Sequence, residues 1–217
     1  MDNLTPQQRL EIDHLLASED VKKAENDLLY FLKRVKTWDE HDQVNPTKPL
    51  PDKPYLEELA LLFLTEPLLA IEKSRQMMVT WLMCACHLWD AWAHQGRRIF
   101  FQSKKEKDAN ANIDRVKFIY ENLPPHYKIA HPANMPMTYL KLEFGKQKSI
   151  IEGIPQGADV LRQYTCSRIF SDETAFQEQA EKAWEAAKPT ITGGGSIVMV
   201  SSPNFKEHFW RICQDCL

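Results

Sequence analysis

The apolar positions of this chain fall into short runs separated by longer periodic segments. Residues 68–71, 98–102 and 196–200 are brief, mostly apolar stretches followed by polar residues, and 167–173 is a short strand around Ile169-Phe170 ending in adjacent carboxylates, which is the pattern of buried strands. Between them, 55–64 has an amphipathic helical period, 79–93 is apolar almost throughout, and 103–122 and 177–188 are charged helical segments. The alternation Tyr139-Leu140-Lys141-Leu142-Glu143-Phe144, a turn at Gly145 and a second run over 149–154 predict a hairpin. Strands alternating with helices predict an α/β fold with a mostly parallel sheet, whose ligands bind at the carboxyl ends of the strands.

The first third reads differently. Thr5-Pro6-Gln7-Gln8 supplies an N-cap, a proline at the first helical position and a glutamine three residues after the cap, so a helix is expected to about Ala17. A second helix follows, with Leu28, Leu29, Leu32 and Val35 on one face, and the pair reads as a helical appendage or lid. Pro46, Pro49, Pro51 and Pro54 exclude helix from 44–54 and predict an extended, irregular connection. The expected division is therefore an N-terminal helical and proline-rich region over 1–53 and an α/β core over 54–217.

Composition narrows the class. With 217 residues, 43% of them hydrophobic, the chain can bury a substantial core. Its 27 basic and 30 acidic residues leave a net charge of -3, so no global field marks it as a nucleic-acid coat or a membrane-surface protein. Any DNA contact must be local, and Lys104, Lys105 and Lys107 at a helix start are one basic cluster or simply a solvated face. Five unevenly spaced cysteines argue against a disulfide framework and for a reducing cytoplasm. Cys84 and Cys86 diverge on one helix, and Cys213-x-x-Cys216 is half of a metal signature without its partner. The 77–93 segment is interrupted by Thr80, His87 and Asp90 and is short of a membrane span, so a buried helix is expected.

The candidate chemistry gathers at three predicted strand ends. The first is Lys73-Ser74-Arg75-Gln76-Met77-Met78-Val79-Thr80, a strand-loop-helix connection that departs from G-x-x-x-x-G-K-[ST]: no glycine is present and the lysine stands at the loop's start. A phosphate cradle needs converging backbone N–H groups, a helix N-terminus, a cation and a metal-binding hydroxyl, and Lys73 or Arg75 and Thr80 offer the last two. The second is Asp172-Glu173, where one carboxylate can hold Mg2+ and the next can activate water. The third is Ser201-Ser202-Pro203-Asn204. Trp38 and Asp39 are candidates to stack on or bond a nucleotide base, although Trp38 also reads as a packing residue.

These motifs together resemble the large terminase subunits of tailed bacteriophages. Lys73 to Trp81 looks like their deviant Walker A loop, Ile169-Phe170-Ser171-Asp172-Glu173 like their Walker B strand with its catalytic glutamate, and Ser201-Ser202-Pro203 like their coupling motif. Phe100-Phe101-Gln102-Ser103 and the lysine-rich stretch after it resemble the segment following the first crossover. The resemblance implies a P-loop NTPase core of the RecA-like, additional-strand, catalytic-glutamate (ASCE) type, hydrolysing ATP with Mg2+. It assigns Lys73 to the β- and γ-phosphates, Arg75 to sensing the γ-phosphate, Thr80 and Asp172 to Mg2+, Glu173 to the attacking water, and Ser201 and Ser202 to coupling. It further implies double-stranded DNA, the portal protein, the small terminase subunit and further copies in a ring on the procapsid as partners, in the host bacterial cytoplasm. Such rings take an arginine from a neighbouring subunit, for which Arg162 is the first candidate and Arg168 the second. Nothing after Asn204 is long enough for the nuclease domain of these proteins, so no DNA cleavage is expected. A superfamily 2 helicase lobe and a catalytically silent P-loop relative remain alternatives.

Overall fold

The computed structural model describes residues 5–103, 106–136, 140–154, 165–177, 180–204 and 208–215. In chain order these form α1 (Pro6–Asn26), α2 (Leu28–Leu32), β1 (Lys36–Trp38), β2 (Thr47–Pro49), α3 (Pro54–Thr65), β3 (Leu68–Glu72) and α4 (Val79–Ala93). They continue as β4 (Arg98–Gln102), α5 (Glu106–Glu121), α6 (Pro125–Ala130), β5 (Ala133–Asn134), β6 (Lys141–Phe144), β7 (Ser149–Ile154) and β8 (Arg168–Asp172). A 3-10 turn (Thr174–Phe176), α7 (Ala180–Thr192), β9 (Ser196–Ser201) and α8 (His208–Asp215) complete the described elements.

Seven of the described strands form one sheet in the order β3-β9-β8-β4-β7-β6-β5. The first five run parallel, and β6 and β5 add an antiparallel edge through the expected hairpin. β9 is inserted between β3 and β8, the additional-strand arrangement. Period-2 alternation sends Ile99, Phe101, Phe170, Val198 and Val200 to one face, against α4 and the N-terminal helices. Phe100, Ile169, Ile197 and Met199 face the other way, against α7 and α8. Both faces of the central strands are therefore covered, which is why those strands read as apolar runs. No described helix is long and apolar enough to cross a membrane.

α4 is the axis of the larger core, with Leu82 to Trp92 buried on every side. His87 sits among Phe63, Phe101 and Phe170, with ring centroids 4.9–5.4 Å away, and burial pushes its imidazole down to about 3, so it is neutral. Asp90, one turn on, is 1% exposed and pairs with Arg168 at 2.9 Å, Arg97 at 3.2 Å and His94 at 3.2 Å. Burial alone would raise its carboxyl, but these three partners hold it below the ordinary carboxylate value.

Several boundaries differ from the sequence reading. α1 runs past Ala17 to Asn26, because Val21 and Ala24 find the core and Trp89 Nε1 donates to the Ala24 carbonyl at 2.8 Å. The proline-rich stretch contains a small antiparallel hairpin, β1–β2, which tolerates Pro49 because the residue ends an edge strand. Trp38 on that hairpin is 45% exposed and rests edge-on against Phe118, while Asp39 accepts from the His41 N–H within its own turn. α7 begins later than residue 177, since the Gln177 amide is spent on the Ser171 hydroxyl and the Asp172 carbonyl, each at 2.9 Å. The Ser103 hydroxyl, just after β4, donates to the Asp172 carbonyl at 3.3 Å.

Candidate functional site

Strand register builds the site. Glu72 lies opposite Ser201 on β9, and Asp172 lies opposite Val200, so β3, β9 and β8 end side by side at one edge of the sheet. The residues that follow, Lys73, Ser202 and Glu173, consequently leave the sheet as neighbours. The backbone N–H of Lys73 donates to the Ser201 carbonyl at 2.9 Å, which carries the pairing one residue beyond β3.

From Lys73 the chain loops to the start of α4 with Gln76 at φ 63° and Met78 at φ 56°. Both are in the left-handed region, which costs a residue with a Cβ about 1–2 kcal/mol. The loop thus adopts a conformation that glycines usually supply. Tyr55 on α3 supports it by donating its hydroxyl to the Met77 carbonyl at 3.2 Å. Met78 occupies the N-cap position of α4, and no side chain caps the first turn. The open N–H groups and the positive end of a fifteen-residue helix form a cradle that could receive an anion. Ser74, Arg75 and Gln76 are exposed on its rim.

The left-handed conformation gives a prediction. Met78→Gly relieves the strain while losing partial packing and gaining unfolded-state entropy, so unfolding stability changes by less than about 1 kcal/mol. Met78→Val, branched at Cβ, loses about 1–2 kcal/mol or more. Equal thermal shifts for the two variants would mean that residue 78 does not hold a positive φ in solution.

The acidic pair faces this cradle. Thr80 Oγ1 lies 3.5 Å from Asp172 Oδ1, and the Lys73 ammonium, its side chain only 11% exposed, lies 3.7 Å from Glu173 Oε1. Glu173 has φ 52° and ψ 42°, a left-handed bend that turns the chain out of β8 into the 3-10 turn. Its N–H donates to Asp172 Oδ1 at 3.1 Å, and the Ser202 hydroxyl is 3.5 Å from its Oε2. Ser201 contributes its hydroxyl to the Ala175 N–H at 3.1 Å, and Asn204 donates to the Ala175 carbonyl at 3.1 Å. The structure therefore gathers Lys73, Thr80, Asp172, Glu173, Ser201 and Ser202 in one place.

The oxygens of Thr80 and Asp172 are close enough to share one ion with ligand bonds of about 2.1 Å. Among the described residues, no group of three or more His, Cys, Asp and Glu side chains is arranged to hold a metal. A site with one carboxylate and one hydroxyl suits Mg2+, which keeps several waters and takes substrate phosphate oxygens.

Arg168 stands elsewhere. It begins β8 whereas Asp172 ends it, about 13 Å apart along the strand. Its guanidinium is bound to Asp90, to the Ser196 hydroxyl at 2.6 Å and to the Phe63 carbonyl at 3.3 Å, so it is a structural arginine and not one offered to a neighbour. Arg162, with the rest of 155–164, lies outside the described residues, as do Lys104, Lys105 and Cys216.

Three residues at the site escaped the sequence reading: Tyr55, Asn112 and Gln177. Only Asn112 left a signal, a polar side chain on the apolar face of α5 marked by Ala109, Ile113 and Val116. Its Nδ2 donates to Asp172 Oδ2 at 3.0 Å.

No protein-family model and no curated protein matches this chain. Solved structures do. The ATPase domain of the Thermus phage P74-26 large terminase aligns with a TM-score of 0.58 at 16% identity, over 75% of this chain and 68% of that one. The large terminase of bacteriophage HK97 aligns with a TM-score of 0.61 at 14% identity, over 82% of this chain and 37% of that one. A large terminase from a thermophilic bacteriophage, solved in complex with ADP, gives 0.56 at 13% identity, over 70% of this chain and 39% of that one. At these identities the likeness is one of fold: this chain has the mostly parallel, helix-flanked fold of large-terminase ATPase domains, and it spans about two fifths of the longer terminase chains.

Proposed function

We propose that this chain is the ATPase motor domain of a viral large terminase, binding ATP with Mg2+ and hydrolysing it to drive double-stranded DNA into a procapsid. The observation that carries the reading is the meeting of Lys73, Thr80, Asp172 and Glu173 at adjacent strand ends around the uncapped start of α4. The fold shared with large-terminase ATPase domains supports it.

In this reading the N–H groups of 78–80 and the Lys73 ammonium hold the β- and γ-phosphates, and Arg75 on the rim reaches the γ-phosphate. Thr80 and Asp172 would hold Mg2+, which would supply positive charge against the phosphates. Glu173 accepts the proton of a water aligned with the γ-phosphate, and Lys73, released from Glu173 by the phosphates, leaves that carboxylate free to do so. Ser201 and Ser202 bond to the turn behind Glu173 and to Glu173 itself, a route by which loss of the γ-phosphate reaches β9. Arg162 is assigned to completing a neighbour's site within a ring seated on the portal protein, with the small terminase subunit as a further partner. Residues 1–53 are read as the N-terminal region and 54–217 as the motor core.

The direct test is Lys73→Ala. Removing one charged donor from the phosphates lowers MgATP affinity by about tenfold to a hundredfold, measured by calorimetric titration. Parental affinity would refute the assignment of the lysine at the loop's start.

A further inference from the structure

We propose that Asn112 and Arg115 are positioning residues that fix the Asp172 carboxylate for metal binding, through the contacts Asn112 Nδ2 to Asp172 Oδ2 at 3.0 Å and Arg115 Nη1 to Asn112 Oδ1 at 2.6 Å. The inference rests on the reading of the site as a Mg2+-nucleotide site and names the residues that set its metal ligand.

Asn112 lies on the inward face of α5 and is 1% exposed. A buried amide is costly unless both of its ends are bonded, and here both are. Arg115 has only donors to offer, so the amide atom it meets is the oxygen, and the amide nitrogen must then face Asp172. The guanidinium is itself held over the ring of Trp81, 5.7 Å from its centroid, and Trp81 is the residue after Thr80 in the first turn of α4. One contact series thus runs from the helix that carries the metal-binding hydroxyl, through Arg115 and Asn112, to the carboxylate across from it.

The consequence falls on a single torsion. Rotation of a carboxylate about χ2 is only weakly restricted by its own covalent geometry. The Gln177 amide and the Ser103 hydroxyl fix only the main-chain carbonyl of Asp172. Asn112 occupies Oδ2, so that Oδ1 is the oxygen turned to Thr80 Oγ1 and to the Glu173 N–H. A small octahedral ion demands tighter ligand placement than an unrestrained carboxylate provides. Partners behind metal ligands are commonly worth about 10- to 100-fold in metal affinity.

The experiment titrates ADP into the full chain by calorimetry at a series of Mg2+ concentrations and again with EDTA. In Asn112→Ala and Arg115→Ala the Mg2+ concentration that gives half of the affinity gain rises about tenfold or more, while ADP affinity in EDTA stays at the parental value. The double variant adds little to Asn112→Ala alone, because Arg115 acts through Asn112. Arg115→Lys, which keeps a donor, recovers part of the loss. Arg115 is only half-buried, so its variants keep the test intact should Asn112→Ala fold poorly. Asp172→Asn separates the two claims. If it abolishes the Mg2+ gain while the Asn112 and Arg115 variants keep the parental Mg2+ dependence, the positioning proposal is overturned and the site reading stands. If Asp172→Asn keeps the Mg2+ gain, the site reading fails and the positioning proposal with it.

Discussion

Glu173→Gln binds MgATP as the parent does and turns it over about 10^2- to 10^4-fold more slowly, the range by which a positioned general base contributes. The substitution keeps the length and reach of the side chain and removes its negative charge, and with it the capacity to take a proton. The Glu173 side chain is 39% exposed and its pairing with Lys73 spans 3.7 Å, so losing that ion pair costs little stability. The left-handed backbone at 173 suits glutamine as well as glutamate, so the bend into the 3-10 turn persists. Steady-state hydrolysis and equilibrium binding, measured on the same preparation, separate the outcomes. A parallel fall in both would move Glu173 from the base role to a structural one, and unchanged turnover would remove it from the chemistry.

Asp90→Ala is expected to destabilise the fold by about 3–5 kcal/mol, the usual penalty for leaving a buried partner charge uncompensated. Asp90 is 1% exposed, and the variant strands Arg168 between the Ser196 hydroxyl and the Phe63 carbonyl while freeing Arg97 and His94. Denaturant unfolding reads the loss, and a change under about 1 kcal/mol would mean that the cluster is solvated. Replacing Asp90 and Arg168 together by apolar residues of similar size recovers most of it, since the charge then left without its partner, Arg97, is 37% exposed and reaches solvent. Acid adds an independent check. A carboxyl held below its unfolded value contributes stability above the ordinary carboxylate range, and that stability is lost as pH falls through the lower folded value. The parent therefore shows a component of acid destabilisation that Asp90→Ala lacks.

The strands and helices nearest the chemistry were legible because each carries its own signal. β4 and β9 are covered on both faces and carry apolar runs, β3 and β8 each carry a shorter apolar stretch that ends in acidic residues, and α4 begins and ends where its apolar period does. The β1–β2 hairpin was hidden by its prolines, whose positions at strand ends become visible only once the pairing partner is known. Sheet order was hidden too. That β9 separates β3 from β8, and so brings Ser202 between Lys73 and Glu173, depends on packing of both faces and not on any local pattern. Thr80 and Asp172 could be named from motif and spacing, but Asn112, the amide bonded to Asp172, is sixty residues away on α5. The Arg168 pairing with Asp90 spans 78 positions and likewise leaves no trace in either local sequence.

A phosphate loop without glycine differs thermodynamically from one with several. Glycine loses more backbone freedom on folding than any other residue, so a glycine-rich cradle is inexpensive in sterics and expensive in entropy. Here the exchange runs the other way: Gln76 and Met78 hold left-handed geometry against their own side chains, and the surrounding fold, with the Tyr55 hydroxyl on the Met77 carbonyl, sustains it before any ligand arrives. Such a loop has little disorder left to surrender on binding. In the proposed reading, nucleotide association then carries a smaller unfavourable entropy of loop ordering, with the cradle as a preset mould rather than a strand that wraps around its ligand.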